Sequence, residues 1–413
     1  MLVYKFGGAA VKDAAGVRNL TQIISKEKED LLVVISAMGK MTNAFEKLIN
    51  AYLSNLDYTK ELNFIVEYHL EIIKDLDIES CLFNEYLDVL ESELKKVSSS
   101  DYNFEYDRLI GFGELFSTII VWQYLRKTIE GTKWLDVRDI IKTDSNFRFA
   151  KVDWEQTIRN TESEIDFSKR KIYITQGFIA SDLNNKTTSL GREGSDYSAA
   201  IFAYALSAES ITIWKDVQGV LNADPRLSKN AKLLEQLSFY DAIELAFFGA
   251  QIIHPKTIQP LKNKRIPLFV RSFKDVNCKG TLVGNRKVEI DTPIVIVKEN
   301  QVLFSITTRD FSFVDEKNIA SIFSILSEYN AKVNMMQNGA VSFSVVVDYM
   351  PRSFKQMLEK LNVDFDVRYN SELRLLTIRH YTQAKIDSLI LNQKVYLEQK
   401  SRNTAQYLVG KEE

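Results

Sequence analysis

The sequence contains little cysteine and little histidine. Its 413 residues include two cysteines, Cys81 and Cys278, and three histidines, His69, His254 and His380. Two cysteines so far apart in sequence fit a reducing cytoplasm and no disulfide framework, and neither has the CxxC or Cys/His neighbour pattern of a zinc site. Charge of one sign is not in excess either. Lys plus Arg total 53 and Asp plus Glu total 55, a formal net charge of −2. No general pull toward nucleic acid or anionic membrane is expected, so local basic clusters must carry any phosphate binding. No apolar run approaches the roughly 20 residues needed to span a bilayer. The N-terminus, MLVYKFGG, reads as a strand entering a loop, without signal-peptide architecture. A Walker A loop is missing, since the GxxxxGK[ST] spacing does not occur.

What is present is an ordinary globular balance, 45% hydrophobic and 26% charged. The chain is too long for a single ordinary core, so two or three domains are expected. Runs rich in β-branched residues at Leu2–Phe6, Leu31–Ser36, Lys171–Thr175, Ile211–Trp214 and Pro267–Val270 are apolar on both faces. They predict a parallel sheet covered by helices on each side. In such sheets ligands gather beyond the carboxyl ends of the strands. There the sequence places Gly7-Gly8, Ala37-Met38-Gly39-Lys40, Gln176-Gly177-Phe178 and Lys215-Asp216. Residues 44–100 read as amphipathic helix, with His69 a packed helix residue rather than a ligand. Ser98-Ser99-Ser100 and Asp101 then open a new element.

Gly280–Pro293 breaks the periodicity and reads as a linker. Beyond it, strand Val302–Thr307, helix Ile319–Tyr329, strands Ala331–Gln337 and Ala340–Asp348 around Asn338-Gly339, helix Arg352–Leu361 and strand Val363–Arg368 give a βαββαβ, ferredoxin-like order. A shorter copy follows: strand Leu373–Arg379, helix Gln383–Leu391 and strands Val395–Gln399 and Ala405–Val409. It lacks the last helix and strand, so its uncovered edge must pair with the first copy or with another subunit.

The segment Ser189-Leu190-Gly191-Arg192-Glu193-Gly194-Ser195-Asp196-Tyr197-Ser198-Ala199-Ala200 carries the densest chemistry. Arg192 can grip a carboxylate, Ser195 and the helix start can accept anionic oxygens, and Asp196 can hold Mg2+ or orient a phosphate. Lys5 with Gly7 and Gly8 can neutralise and cradle a transferring phosphate, although KFGG alone is also what a β-turn beside a surface lysine looks like. Ser36, Gly39, Thr42 and Asn43 can hold a substrate's amino or carboxylate group, or Thr42 or Asn43 can simply cap a helix. Glu114, in Gly113-Glu114-Leu115-Phe116-Ser117, either serves the helix dipole or meets an ammonium. In the run from Trp214 to Arg226, Asp216 stands at a strand end and Arg226 follows the Asp224-Pro225 turn, free to meet nucleotide phosphate. Lys256 could add positive charge, and His254 before Pro255 reads as a structural turn residue.

These segments, in this order, resemble aspartokinase: KFGG at 5–8, VVISAMGKMTN at 33–43, GFGELFST at 111–118, SLGREGSDYSAA at 189–200, WKDVQGVLNADPR at 214–226 and FFGAQIIHPKT at 247–257. The resemblance implies an amino-acid-kinase-like three-layer αβα sandwich over 1–285, with an aspartate-side lobe to about 165 and a nucleotide-side lobe after it. A linker at 286–298, an ACT-like unit at 299–370 and a partial one at 371–413 would follow, with no fused homoserine dehydrogenase. It implies ATP- and Mg2+-dependent phosphorylation of the β-carboxylate of L-aspartate, with no nucleic acid or membrane partner. Carried over, Lys5 and Asp196 are catalytic, with Mg2+ on Asp196. Thr42, Glu114, Phe178 (through its backbone), Arg192 and Ser195 hold aspartate. Gly7, Gly8, Ser36, Lys215, Asp216, Leu221, Arg226 and Lys256 serve the nucleotide. Asn318, Ile319, Met335, Gln337 and Asn338 would meet an amino-acid effector, lysine or threonine, in a module that also makes a homodimer or higher oligomer. The same module could instead be a dimerisation unit without a ligand. This chain departs from the family at Ala9-Ala10, where hydroxyls are usual, at Glu193, where a glycine is usual, and at Gln251, where a lysine is usual and Lys256 is the candidate substitute. Another carboxylate or carbamate kinase of this fold, or a catalytically weak effector-binding protein, are the alternatives.

Overall fold

A computed structural model describes residues 1–225, 230–250, 253–286, 290–310 and 312–410. The chain divides into two units. The first comprises Met1–Val220, Leu233–Ala246 and Gln251–Val288, and the second Leu221–Lys232, Phe247–Ala250 and Glu289–Glu413.

The β-branched runs of the first unit become neighbouring strands. Across the eight-stranded sheet the order is Thr132–Leu135, Ile172–Gln176, Leu31–Ile35, Leu2–Phe6, Ser210–Lys215, Leu268–Ser272, Thr281–Gly284 and Gln236–Ser238. The first six run parallel, and Thr281–Gly284 turns back antiparallel on Leu268–Ser272. Leu31–Ile35 and Ile172–Gln176 are buried at every residue, as strands covered on both faces must be. Helix Phe112–Thr128 packs on the strands at one side of the sheet, and helix Gly194–Ala205 on the three central ones. Both helices are apolar almost all round and almost wholly buried, the pattern of helices enclosed by other layers. Phe6 stacks on Trp214 with ring centroids 5.9 Å apart, fixing the two central strands.

The helical region resolves into Met41–Leu53, Thr59–Asp75 and Cys81–Leu94. Asp101 then caps helix Tyr102–Ile110 by accepting from the N–H groups of Asn103 and Phe104. His69 is a core residue. It is fully buried, its ring rests on Phe83 and Phe116, and Nδ1 bonds the Ile65 carbonyl at 2.7 Å. Burial pushes its pKa down to about 4. No helix among the described residues is long and apolar enough to cross a membrane.

The second unit differs from the tandem arrangement expected from its sequence. Its six strands form one antiparallel sheet in the order Val333–Asn338, Ser342–Asp348, Ile294–Thr308, Phe365–Arg379, Thr404–Val409 and Val395–Lys400. Two of these strands are 15 residues long and serve both copies. The stretch Ile294–Lys298, read as linker, is strand and pairs with Leu375–Arg379. The segments read as separate strands at Val363–Arg368 and Leu373–Arg379 are one strand, Phe365–Arg379. The first copy is therefore inserted within the second rather than placed before it. The uncovered edge is closed by that pairing within the unit. The junction is marked by register shifts around Gln301, next to Asn300 at φ 55°.

Candidate active site

Strand register builds the site. Phe6 pairs with Ile35 on one side and Trp214 on the other, and Ile35 pairs with Gln176. Four parallel strands thus end level, and Gly7-Gly8, Ser36, Gly177-Phe178 and Lys215-Asp216 gather at one edge. Lys5 is the penultimate residue of its strand. Gly8 is placed by close approach: a Cβ there would lie 2.6 Å from the Ala37 carbonyl oxygen and 2.8 Å from that of Gly39. Only a hydrogen fits where the Gly7–Val11 turn presses on the Ala37–Gly39 loop.

A cavity of about 570 Å3 opens at this edge. Its wall includes Lys5, Ser36, Thr42, Glu114, Phe178, Arg192, Ser195, Asp196 and Lys215, so nine of the residues singled out in the sequence converge on one space. Lys5 Nζ lies 2.6 Å from Asp196 Oδ1, and Lys215 Nζ 3.7 Å from Oδ2. Burial alone would raise the Asp196 carboxyl, but the two ammonium groups hold it below the usual range. Two lysines on one aspartate leave a net positive charge in a poorly hydrated place, which suits anionic oxygens. Asp196 stands in the first turn of helix Gly194–Ala205, at the positive end of its dipole. Among the described residues no group of three or more His, Cys, Asp or Glu could hold a metal ion.

Glu114 occupies the first turn of helix Phe112–Thr128 and is 2% exposed. A carboxylate serving only the helix dipole would sit at the surface. Its Oε1 accepts from the Ala37 N–H at 3.4 Å, while Oε2 has no hydrogen-bond partner among the described residues. Burial drives its pKa up to about 8. A buried carboxyl with an open oxygen is suited to a cationic group of a ligand. Thr42 and Asn43 do not cap their helix, because its N-cap is Lys40 and no side chain caps it. The Thr42 side chain instead joins the cavity wall.

Arg192 is exposed at the rim, and its guanidinium makes no hydrogen bond or ion pair with any described residue. Glu193, where the family glycine is usual, holds φ 53° and ψ 31° at the helix N-cap, the left-handed conformation that glycine adopts without strain. Phe178 also has positive φ, 71°. Its N–H donates to Ser198 Oγ at 3.0 Å and its carbonyl accepts from Leu190 N at 2.9 Å. Both backbone groups expected to support a substrate are thus engaged within the protein. A Cβ on Gly177 would come within 2.5 Å of the Ser195 side chain, so that glycine seats Ser195.

Other expected residues lie elsewhere. Asp216 is exposed and outside the cavity wall. Leu221 belongs to the second unit. Arg226 and Gln251 lie outside the described residues. Lys256 does not line the cavity. Its Nζ donates to the Leu190 carbonyl at 3.1 Å and rests over Tyr197, and burial lowers its pKa. It braces the loop that carries Arg192. His254 is the N-cap of helix Pro255–Lys264, its Nδ1 accepting from the Lys256 N–H. In the second unit, Asn318 stands in the first turn of helix Glu316–Glu328 with its N–H on Asp315 Oδ1. Ile319 packs on the core, and Met335 is buried with Leu303 and Val346. Gln337 and Asn338 are exposed on the edge strand.

Sequence reasoning missed Tyr106, Arg148 and Phe149 in the wall. They come from a helix interior and an irregular loop, neither with a local signature. A hint was available in Asp107, an acid on the apolar flank of a short helix. It is fully buried and accepts from Arg148 N, Ser189 N and Ser189 Oγ.

Residues 1–272 match the amino acid kinase family, the class that this sheet and its lysine-bearing edge define. Over 361 residues the chain is 32% identical to lysine-sensitive aspartokinase 3 of Escherichia coli, covering 84% of this chain and 78% of that protein. It is 31% identical over 383 residues to the chloroplastic bifunctional aspartokinase/homoserine dehydrogenase 2 of Arabidopsis thaliana. That match covers 88% of this chain but 42% of the longer protein. The E. coli aspartokinase III structure in complex with aspartate and ADP superposes with a TM-score of 0.83 at 26% identity, covering 99% of this chain and 96% of that one. The chain belongs to the aspartokinases.

Proposed function

We propose that the protein transfers the γ-phosphoryl group of ATP to the β-carboxylate of L-aspartate, giving 4-phospho-L-aspartate. The observation that carries this reading is the meeting, in one cavity, of the buried Glu114 carboxyl with the Lys5–Asp196–Lys215 cluster. Glu114 takes the substrate ammonium, Arg192 a carboxylate, and Thr42 and Ser195 supply hydroxyls. The attacking carboxylate needs no general base, so positioning and charge neutralisation supply the acceleration. Lys5 is the group that follows the charge on the transferring phosphoryl, with Lys215 beside it and Asp196 holding both ammonium groups in place. Mg2+ fits as part of the nucleotide substrate, carried mainly by phosphate oxygens, since both Asp196 oxygens already face ammonium groups.

The first unit is the catalytic body and the second the regulatory one. The lysine sensitivity named for the E. coli relative makes lysine the first effector to try, with the Asn318–Ile319 turn and the Gln337–Asn338 edge as its place. That edge also suits pairing with a second copy. Both cysteines are unpaired, in keeping with a reducing compartment.

The test is formation of aspartyl hydroxamate together with ADP release, using L-aspartate at saturating MgATP. ADP release without hydroxamate, or no turnover with aspartate, would overturn the reading. Repeating the assay with lysine and with threonine tests the regulatory part.

A further inference from the structure

The cavity wall contains a cation that no motif announces. Arg148 lies in the loop between strand Lys142–Thr143 and helix Trp154–Glu164 and has φ 70°. A non-glycine residue in that region is strained by roughly 1–2 kcal/mol. Such strain persists only where the surroundings hold the backbone, and here they do. The Arg148 N–H donates to Asp107 Oδ2 at 2.7 Å, and the same carboxylate binds Ser189 N at 2.8 Å. One buried acid therefore ties the Arg148 loop to the start of the Gly191–Glu193 loop.

The side chain is held as firmly as the backbone. The guanidinium carbon sits 4.3 Å from the Tyr106 ring centroid and 5.6 Å from that of Tyr102. Tyr106 is itself fixed, its hydroxyl 2.9 Å from Glu46 Oε1. Yet the guanidinium makes no hydrogen bond or ion pair with any described residue. A planar fork of donors, stacked in place and facing a cavity with its hydrogen-bonding capacity unspent, is built for a flat anion.

We propose that Arg148 is a second substrate-binding arginine, which takes a carboxylate of the acceptor opposite Arg192. Its position favours carboxylate over nucleotide phosphate. The Tyr106 ring beneath it is anchored to Glu46, one turn after Thr42 in the same helix, on the side of the cavity that carries Thr42. The phosphate-facing charges, Lys5 and Lys215, come from strands elsewhere in the wall. Two arginines on two loops suit an acceptor with two carboxylates, and they make the site selective for a dicarboxylate over its amide. Asp107 acts through them as a positioning residue.

The inference rests on the aspartate kinase reading, and wild-type turnover with aspartate tests that reading separately. Given turnover, the decisive variant is Arg148→Gly in the full chain, because glycine accepts φ 70° without strain and the loop keeps its path. The expected result is a rise of at least tenfold in the aspartate KM, with the MgATP KM within about twofold of wild type, and partial recovery in Arg148→Lys. MgADP binding measured by calorimetry shows that the variant's site is still assembled. An unchanged aspartate KM would overturn the proposal. So would a rise confined to the MgATP KM, which would assign Arg148 to the nucleotide, or equal rises in both, which would mean that the loop had collapsed. Asp107→Asn should give a smaller aspartate-specific rise, and adding it to Arg148→Gly should raise the aspartate KM little further.

Discussion

At Glu114 the protein keeps a carboxyl out of water and leaves one of its oxygens without a partner. Its pKa of about 8 against 4.5 for the free side chain has two consequences. The folded protein holds a proton that the unfolded chain has lost above pH 4.5. This contribution to stability is fully present below that pH and is lost as pH rises through about 8, by on the order of 3 kcal/mol at pH 7. Urea unfolding of Glu114→Gln should lack this decline between pH 5 and 8, so the difference from wild type should narrow steadily toward acid. If the two profiles run parallel, Glu114 is ionised in the folded protein. Binding is the second consequence. A substrate ammonium pulls the carboxyl back to its charged form, so aspartate binding at pH 7 should release close to one proton. Calorimetry in two buffers of different ionisation enthalpy measures that number directly, and a value near zero would remove Glu114 from the ammonium site.

Elements place these residues, and their packing supplies two more predictions. The turn Gly8–Val11 meets the Ala37–Gly39 loop at van der Waals distance, backbone to backbone. Gly8→Ala must therefore part the turn that follows the Lys5 strand from the loop that follows Ser36. The expected result is a loss of at least a hundredfold in kcat/KM with unchanged far-ultraviolet circular dichroism; near-normal activity would mean that the loops are not held at this spacing. Helix Thr59–Asp75 buries His69 as the neutral ring, with its pKa lowered to about 4 from 6.5. The unfolded chain takes up that proton first as pH falls. The stability it contributes is complete above pH 6.5 and is lost down to about pH 4, on the order of 3 kcal/mol. His69→Leu should remove this part of the acid sensitivity, which the midpoint of urea unfolding at pH 7 and pH 4.5 would show. At this scale the sequence was legible where a motif follows a strand. Lys5, Glu114, Arg192 and Asp196 stand where glycines and polar groups interrupt apolar runs, yet only the family resemblance separated Lys5 from a surface lysine and Glu114 from a helix-dipole acid. Arg148 was not, because its place depends on a left-handed backbone and on Asp107, 41 residues away, and neither leaves a local pattern. Thr42 could not be separated from a helix cap until the helix start itself was known.

Over the whole molecule, the parallel sheet was legible as apolar runs, but the architecture of the second unit was only half so. Its elements follow the sequence pattern closely, and their nesting does not. The polar stretch Lys298–Gln301 looks like a break, whereas it is an irregularity inside a continuous strand. The apolar alternation restarts after it on the shared strand rather than on a new one. Two copies that share strands Ile294–Thr308 and Phe365–Arg379 cannot unfold separately without breaking the pairing between those strands. Ile378, fully buried with Ile386 and Tyr407, packs in one copy, while Phe304 and Val345 pack in the other. Ile378→Ala removes buried methyl groups and should destabilise this unit by about 2–4 kcal/mol. Because the strands are shared, hydrogen exchange of the Phe304 and Val345 amides should accelerate by the same factor as that of amides beside residue 378. Acceleration limited to the neighbourhood of residue 378 would mean that the two copies open independently. The regulatory unit would then have two parts able to move separately, and an effector bound to the inserted copy could not act through the shared strands.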